Sequence, residues 1–339
     1  PSQRGDKMFD VIAIGSATVD VFMKSHSELI KIKTQHSEEK LIAYPSGSKV
    51  LIKDLQFMTG GGGTNTAVCF SKLGLKTAYL GNIGKDENGT RVINQLKKEK
   101  IKFIGTISND LTNYSVILDS IEHDRTILAY KEASQKLKFS KINKSKLKAK
   151  WFYSSALMGN AFKTEEQLAS YASKNKIKFA LNPSSYQAKK GKKFLAKLLS
   201  NTNLLVLNRE EAGLVLGIAK NTKIELLLKG LYNLGPEIVI ITEGKKGAYC
   251  FDGKYKYYAK PKVAKVLETT GAGDAFASTF LTALIKKKDI EFALKVATVN
   301  AQSVTKQYGA KNGLLSWNKA LSLMKSPKTR PSLKKTMMK

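Results

Sequence analysis

Cysteine is nearly absent, with 2 in 339 residues. Cys69 and Cys250 lie far apart in apolar settings, without a CxxC pair, which reads as buried reduced thiols and argues against disulfides and a structural zinc site. Histidine is almost as scarce. His26, His36 and His123 are scattered as surface residues would be, so neither a histidine triad nor a histidine metal site is expected. The 7 prolines and 42% hydrophobic content argue against disorder. No apolar run reaches the roughly 18 residues that a membrane span requires, and the N-terminus lacks a signal-peptide pattern. No membrane partner and a soluble, cytoplasmic protein are therefore expected. Missing too are a G-x-x-x-x-G-K-[ST] loop and the H-R-D and D-F-G motifs, which disfavours the enzyme classes built on them.

Acids are also few, 27 against 58 lysines and arginines, for a formal charge of +31. The lysines are spread over the whole chain without the arginine and aromatic interleaving of a nucleic-acid groove, so no specific nucleic-acid partner is expected. Three explanations of the charge are weighed: a lysine-rich coding bias first, attraction of anionic nucleotide and substrate second, and nucleic-acid binding third. Residues 1–7 read as a leader preceding Met8, and residues 326–339, rich in Lys, Pro and Ser, as a basic mobile tail.

What is present centres on Glu268 to Phe280, ETTGAGDAFASTF. Gly271, Ala272 and Gly273 carry no large side chain. They can turn consecutive backbone N–H groups towards one point, to which the first turn of a following helix adds unpaired donors and its positive dipole end. Asp274 comes next, and Phe276, Phe280 and Leu284 share a helical face, so the spacing predicts an amphipathic helix holding a fixed carboxylate beside an anion site. That pairing suits phosphoryl transfer, where an alcohol needs a proton acceptor and the moving phosphoryl needs donors. An Asp-capped helix after a glycine turn is the plainer alternative.

Elsewhere FDVIAIG at Phe9 to Gly15 reads as a central strand buried on both faces. Strand and helix then alternate through TAYLGNIG, Asn88 to Glu99, WFYSSAL, Thr164 to Asn175, KFALNP and Leu204 to Leu207, which predicts a doubly wound, mostly parallel α/β sheet flanked by helices. Ligands in such folds sit beyond the carboxyl ends of the strands, where Asn182, Asn208 and Thr242 fall. Gly60 to Gly63 lead into a helix at Thr64 to Leu73. Glycine there lets the backbone approach a polyol, and Asn65 offers donor and acceptor to adjacent hydroxyls; a loop capped by Thr64 is the alternative. Asn208 leaves a strand and Glu211 opens the next helix, where an acid also stabilises a helix start.

TTGAGDAF resembles the C-terminal signature of the PfkB/ribokinase family of small-molecule kinases, and GGGGTNTA at Gly60 to Ala67, followed by Gly74 and Gly84, resembles its N-terminal signature. The resemblance runs from about Phe9 to Trp317. It implies one ribokinase-like domain over 8–325 with a small β-sheet lid inserted at about 18–59 and 108–133, ATP-dependent phosphorylation of a sugar or sugar-like hydroxyl, and magnesium. A nucleoside kinase of the same fold is the alternative, and a noncatalytic nucleotide or polyanion binder a third reading from another class. The resemblance implies Asp274 as general base with Gly271 to Gly273 as anion hole. It implies Asp20, Gly61, Gly62, Gly63 and Asn65 for substrate, and Asn208, Thr242, Gly244, Gly247 and Asn300 for ATP, Asn300 facing the adenine. Glu211 would reach magnesium through water, and Glu268 a monovalent cation such as potassium. It also suggests a homodimer through the lid sheets. The chain departs from the family where Glu268 stands in place of Asp, where Ala180 and Leu181 precede Asn182 in place of an acid, and where WFYSSAL supplies no sugar-holding glutamate. Glu132 stands where glycine is frequent, as a solvated acid or as a substrate-selective contact.

Overall fold

Two hydrophobic patterns build two kinds of sheet. Continuous apolar runs form the inner strands of a large central sheet, and alternating segments form a small one. The structure, a computed structural model, describes residues 8–25, 28–33, 38–119, 125–219, 221–262 and 266–338. The leader, the three histidines and the turn expected at Glu122 to Asp124 lie outside the described residues.

The central sheet has ten strands in the order Ser332–Met337, Tyr255–Lys260, Ala248–Phe251, Ile238–Thr242, Leu204–Asn208, Lys178–Asn182, Ala149–Ser155, Phe9–Gly15, Thr77–Leu80 and Lys102–Phe103. Every pairing from Ile238–Thr242 to Lys102–Phe103 is parallel, and the remaining three are antiparallel. Helices Gly62–Lys72, Glu87–Lys98, Ala272–Lys287 and Ile290–Val304 cover one face, and Ala161–Lys174, Gly191–Leu199, Arg209–Leu216 and Ile224–Tyr232 the other. This is the doubly wound α/β class that the alternation predicts.

The connection order creates the crevice. From Phe9–Gly15 the chain moves to Thr77–Leu80 on one side and later returns on the other side as Ala149–Ser155. Crossovers therefore diverge beyond Gly15 and Ser155, which is where ligands enter open α/β sheets. Over this point stands the small sheet, ordered Arg125–Tyr130, Asn113–Asp119, Thr18–Ser25 and Ile52–Gly60, with a separate hairpin of Glu28–Lys33 and Glu38–Ala43. Leu55, Phe57, Ile127 and Leu128 on it are exposed.

Two expectations are corrected. The helix Ala272–Lys287 is buried at every position from Ala275 to Ala283 rather than along one stripe, because it is sandwiched between Gly62–Lys72 and Ile290–Val304. Alanine, serine and threonine on its flanks admit that close approach. The C-terminal segment is an edge strand in place of a mobile tail: Ser332–Met337 pairs with Tyr255–Lys260. Lysines are poor strand residues, but Lys335 lies 4.5 and 5.3 Å above the rings of Tyr255 and Tyr257 and 3.3 Å from Glu291, so cross-strand contacts override propensity.

One buried acid lies outside the crevice. Glu165 is fully buried and accepts from Ser154 Oγ, from Gln187 Nε2 at 2.6 Å and from Leu157 N at 3.2 Å. Burial pushes its carboxyl up to about 7, and these donors oppose the shift only in part. A carboxyl raised in the folded state contributes stability below its unfolded value that is lost as pH rises through the folded one. Between pH 6 and 8 the wild type should lose about 1 kcal/mol that Glu165→Gln does not lose. Urea denaturation of both proteins at the two pH values checks this, and equal losses would contradict it.

Candidate active site

Gly271 adopts φ 77 and caps the helix, so Ala272, Gly273 and Asp274 form its first turn. The first four N–H groups of a helix lack intrahelical acceptors. One of the expected anion donors is already committed, since Ala272 N–H bonds Thr269 O at 3.2 Å; Gly273 and Asp274 supply the next helix-start amides, which have no acceptor within the helix. A Cβ built on Gly273 meets no atom within 4 Å, so open space lies beside this turn.

Asp274 Oδ2 accepts from Asn65 Nδ2 at 2.9 Å, across 209 residues of sequence. Its other oxygen faces the glycine turn, 3.7 Å from where a Cβ on Gly62 would stand. Burial pushes the Asp274 carboxyl up to about 6, against the Asn65 hydrogen bond and the positive charge of Lys311. Asn65 thus uses one N–H of its amide to orient Asp274. Its Oδ1 is buried without a partner among the described residues.

The glycines beside it serve packing as well as access. Gly61 has φ 90, and a Cβ there would come within 2.5 Å of Ser16 O; on Gly63 it would come within 2.7 Å of the Gly15 backbone. Ser16 O accepts from Gly63 N and Thr64 N at 3.1 and 3.3 Å, which locks the helix start onto the end of the first strand. Asp20, on strand Thr18–Ser25, lies over Gly60, where a Cβ would stand 1.8 Å from its Oδ2. Burial raises its carboxyl, opposed by a hydrogen bond from Ser115 and by Lys311 and Lys131. Gly61, Gly62, Gly63, Asn65, Asp20 and Asp274 therefore share one crevice.

The expected nucleotide residues form a second cluster, at the ends of two adjacent strands. Asn208 and Thr242 are register partners. Gly244, φ 53, faces open space, whereas Gly247, φ 108, is required by packing, with Ala259 O 2.2 Å from a built Cβ. Asn208 and Glu211 form a reciprocal capping box at 2.9 and 3.0 Å, and Ser185 Oγ donates to Glu211 at 3.0 Å. Burial raises the Glu211 carboxyl. An ion pair of Arg209 and Glu243, not anticipated from sequence, borders the same cluster.

Asn300 does not face a nucleotide site. It is fully buried, donates to Thr279 Oγ1 at 2.7 Å and accepts from Leu315 N at 3.0 Å, tying two helices to the loop after them. Glu268 is 4% exposed and accepts from Gly309 N at 2.8 Å, so it braces the anion turn against that loop. Among the described residues no group of three or more His, Cys, Asp or Glu could hold a metal. Glu132 is a half-exposed partner of Lys136 at 3.8 Å, as the solvated reading expects. Cys69 is buried with its thiol pushed up to about 11, which removes it as a nucleophile.

Lys311 was not singled out by sequence. It is 8% exposed and donates to Thr59 O, Thr64 Oγ1 and Thr59 Oγ1 at 2.8, 2.9 and 3.0 Å. Burial pushes its ammonium down to about 7, while Asp20, Asp274 and Glu99 oppose that shift. Its only sequence signal is its place between Gly309-Ala310 and Gly313.

A family profile described as pfkB family carbohydrate kinase matches residues 9–317. The chain belongs to this family. Its members are phosphotransferases acting on hydroxyl groups, which makes this chain a kinase of that family. It is 27% identical over 286 residues to a ribokinase of Haemophilus influenzae, covering 82% of this chain and 91% of that one. It shares its fold with Arabidopsis thaliana ribokinase complexed with ribose and ATP, at TM-score 0.78 and 21% identity over 94% of this chain and 99% of that one. The nucleoside kinase of Methanocaldococcus jannaschii matches at TM-score 0.75 and 20% identity, covering 94% and 98%. Among the described residues no helix is long and apolar enough to cross a membrane.

Proposed function

We propose that the protein transfers the γ-phosphoryl group of ATP to a hydroxyl of a sugar or sugar-like substrate, with Asp274 as general base. The observation that carries this reading is the Asn65–Asp274 hydrogen bond, which joins the glycine turn and the anion turn at the mouth of the parallel sheet. Asp274 accepts the hydroxyl proton as the oxygen attacks phosphorus, and ADP leaves. Amides of Gly273 and Asp274, with the helix dipole behind them, face the charge that spreads over the moving phosphoryl. Asp20 holds neighbouring hydroxyls, and the small sheet excludes water that would compete as acceptor.

Asn208, Thr242 and Gly244 are the proposed nucleotide contacts; Gly247 shapes their turn. Magnesium, when bound with the nucleotide, neutralises phosphate charge. A lone Glu211 whose two oxygens already accept from Asn208 N and Ser185 Oγ suits contact through water rather than direct coordination. The use of Glu268 by Gly309 N–H makes a brace its first role, with a monovalent cation as a second. The exposed Leu55, Phe57, Ile127 and Leu128 support a homodimer through the small sheets.

A nucleoside acceptor is the second reading. It is favoured by the strand Ala149–Ser155, which ends in Ser154 and Ser155 without an acid to grip a sugar. ADP release with ribose, fructose, 2-keto-3-deoxygluconate, adenosine, inosine and cytidine separates the two. Turnover of at least one sugar is expected, and turnover of nucleosides alone would transfer the assignment to the second reading.

A further inference from the structure

Lys311 is a buried cation at the cleft, and Asp20 and Asp274 act on its charge. Lys311 Nζ reaches Thr59 and Thr64. Thr59 sits at the root of the small sheet, where its neighbour Met58 is the register partner of Asp20. Thr64 precedes Asn65, which donates to Asp274. The Thr64 hydroxyl is itself fixed, donating to Gly60 O at 2.6 Å, directly beneath the Asp20 carboxylate. The ammonium therefore stands where the small sheet, the glycine turn and the loop after Val304 meet. That loop touches the anion turn as well, since Gly309 N–H bonds Glu268 and a Cβ on Gly271 would overlap Ala310.

An ammonium has three protons, and all three have protein acceptors here, with Gln95 Oε1 a further one at 3.4 Å. Lys311 is thus not arranged to grip a substrate. What it supplies is charge. Burial pushes both the Asp274 and the Asp20 carboxyl up, a nearby positive charge opposes that rise, and the proposed mechanism needs Asp274 ionised to accept a proton. The titratable and charged groups around this set are Asp20, Asp274 and Glu99 facing Lys311, Lys131 facing Asp20, and the Cys69 thiol and Tyr153 hydroxyl facing Asp274. Lys131 is exposed and follows the strand Arg125–Tyr130. Lys311 is the buried cation that acts on both acids.

We propose that Lys311 is a positioning residue for phosphoryl transfer, fastening the loop Gly309–Gly313 to the root of the small sheet and holding a positive charge near Asp274 that keeps it ionised. The proposal rests on Asp274 being the base.

The test reads Asp274 directly. In protein labelled with ¹³C at aspartate carboxyls, Asp274→Asn identifies the resonance by its loss, and its titration midpoint is compared between wild type and Lys311→Met. The methionine keeps the length and apolar stem of lysine and removes the charge. The midpoint should rise by about one pH unit, the size of effect that one nearby opposite charge has on a carboxylate. Lys311→Arg should bring it back towards wild type. With whichever acceptor of the panel above releases ADP, the acid limb of kcat/KM should move up by the same amount and the acceptor KM should rise, while the ATP KM holds. Should Lys311→Met not fold, Thr64→Val withdraws one acceptor and leaves the charge; its acceptor KM should rise with the acid limb unmoved. A midpoint unchanged in Lys311→Met, or a displaced limb in Thr64→Val, overturns the proposal. If Asp274→Asn keeps full turnover, the general-base reading fails instead, and the two failures are told apart.

Discussion

Asp274→Asn is expected to lower turnover by roughly 10²- to 10⁴-fold, the range typical of a lost general base. The substitution is nearly isosteric and preserves an oxygen for Asn65 Nδ2 to donate to, so the joint between the two turns survives. What disappears is the proton acceptor. The affinity for ATP should stay close to wild type, because the proposed nucleotide contacts lie on the strands Leu204–Asn208 and Ile238–Thr242. The pH profile supplies a second readout. Burial pushes the Asp274 carboxyl up to about 6, and a base works only when ionised. Wild-type kcat/KM should therefore fall as pH drops through about 6, and the residual activity of the variant should lack that limb. Turnover within a few-fold of wild type would remove Asp274 from the mechanism.

The parts of this site that were legible in sequence are those whose residue types are dictated by backbone geometry. Gly271 must be glycine because φ 77 and the contact with Ala310 exclude a side chain, and Asp274 follows it at a helix start. The parallel sheet was legible because runs such as FDVIAIG are buried on both faces. Residues whose role depends on a distant partner were not. Asn300 looks the same in sequence whether its amide meets an adenine or closes a core network with Thr279 and Leu315. Lys311 is one of a large excess of basic residues, and only the fold separates a buried ammonium from a solvated one. Glu165 does carry a signal in the sequence. With Ala161, Leu168, Ala169 and Ala172 it lies at helical spacing on an otherwise apolar stripe, where an acid needs buried donors. The C-terminal strand was hidden because its lysines argue against a strand, and its stabilising contacts come from Tyr255, Tyr257 and Glu291, more than forty residues away in the chain.

The two glycines of the anion turn should respond to alanine in opposite ways. At Gly271 a Cβ would stand 2.4 Å from Ala310 Cβ, and φ 77 is a conformation that L side chains rarely adopt. Strain and overlap together should destabilise Gly271→Ala by about 1 to 3 kcal/mol. The loop that carries Ala310 must also move, and it carries Lys311, so turnover should fall by about 10²-fold, as misplacement of order 1 Å near a reacting centre does. At Gly273 nothing lies within 4 Å of a built Cβ, and the residue is already helical. Gly273→Ala should therefore leave the melting temperature unchanged or raise it, because alanine favours helix over glycine by up to about 1 kcal/mol. Its methyl group nevertheless projects into the space that the proposed mechanism reserves for the migrating phosphoryl, so turnover should fall at least about 10-fold, a stable protein that works poorly. Thermal melts and steady-state turnover of both variants decide the point. A Gly273→Ala protein of full activity would mean that the phosphoryl group does not pass over that turn, whatever Gly271→Ala does.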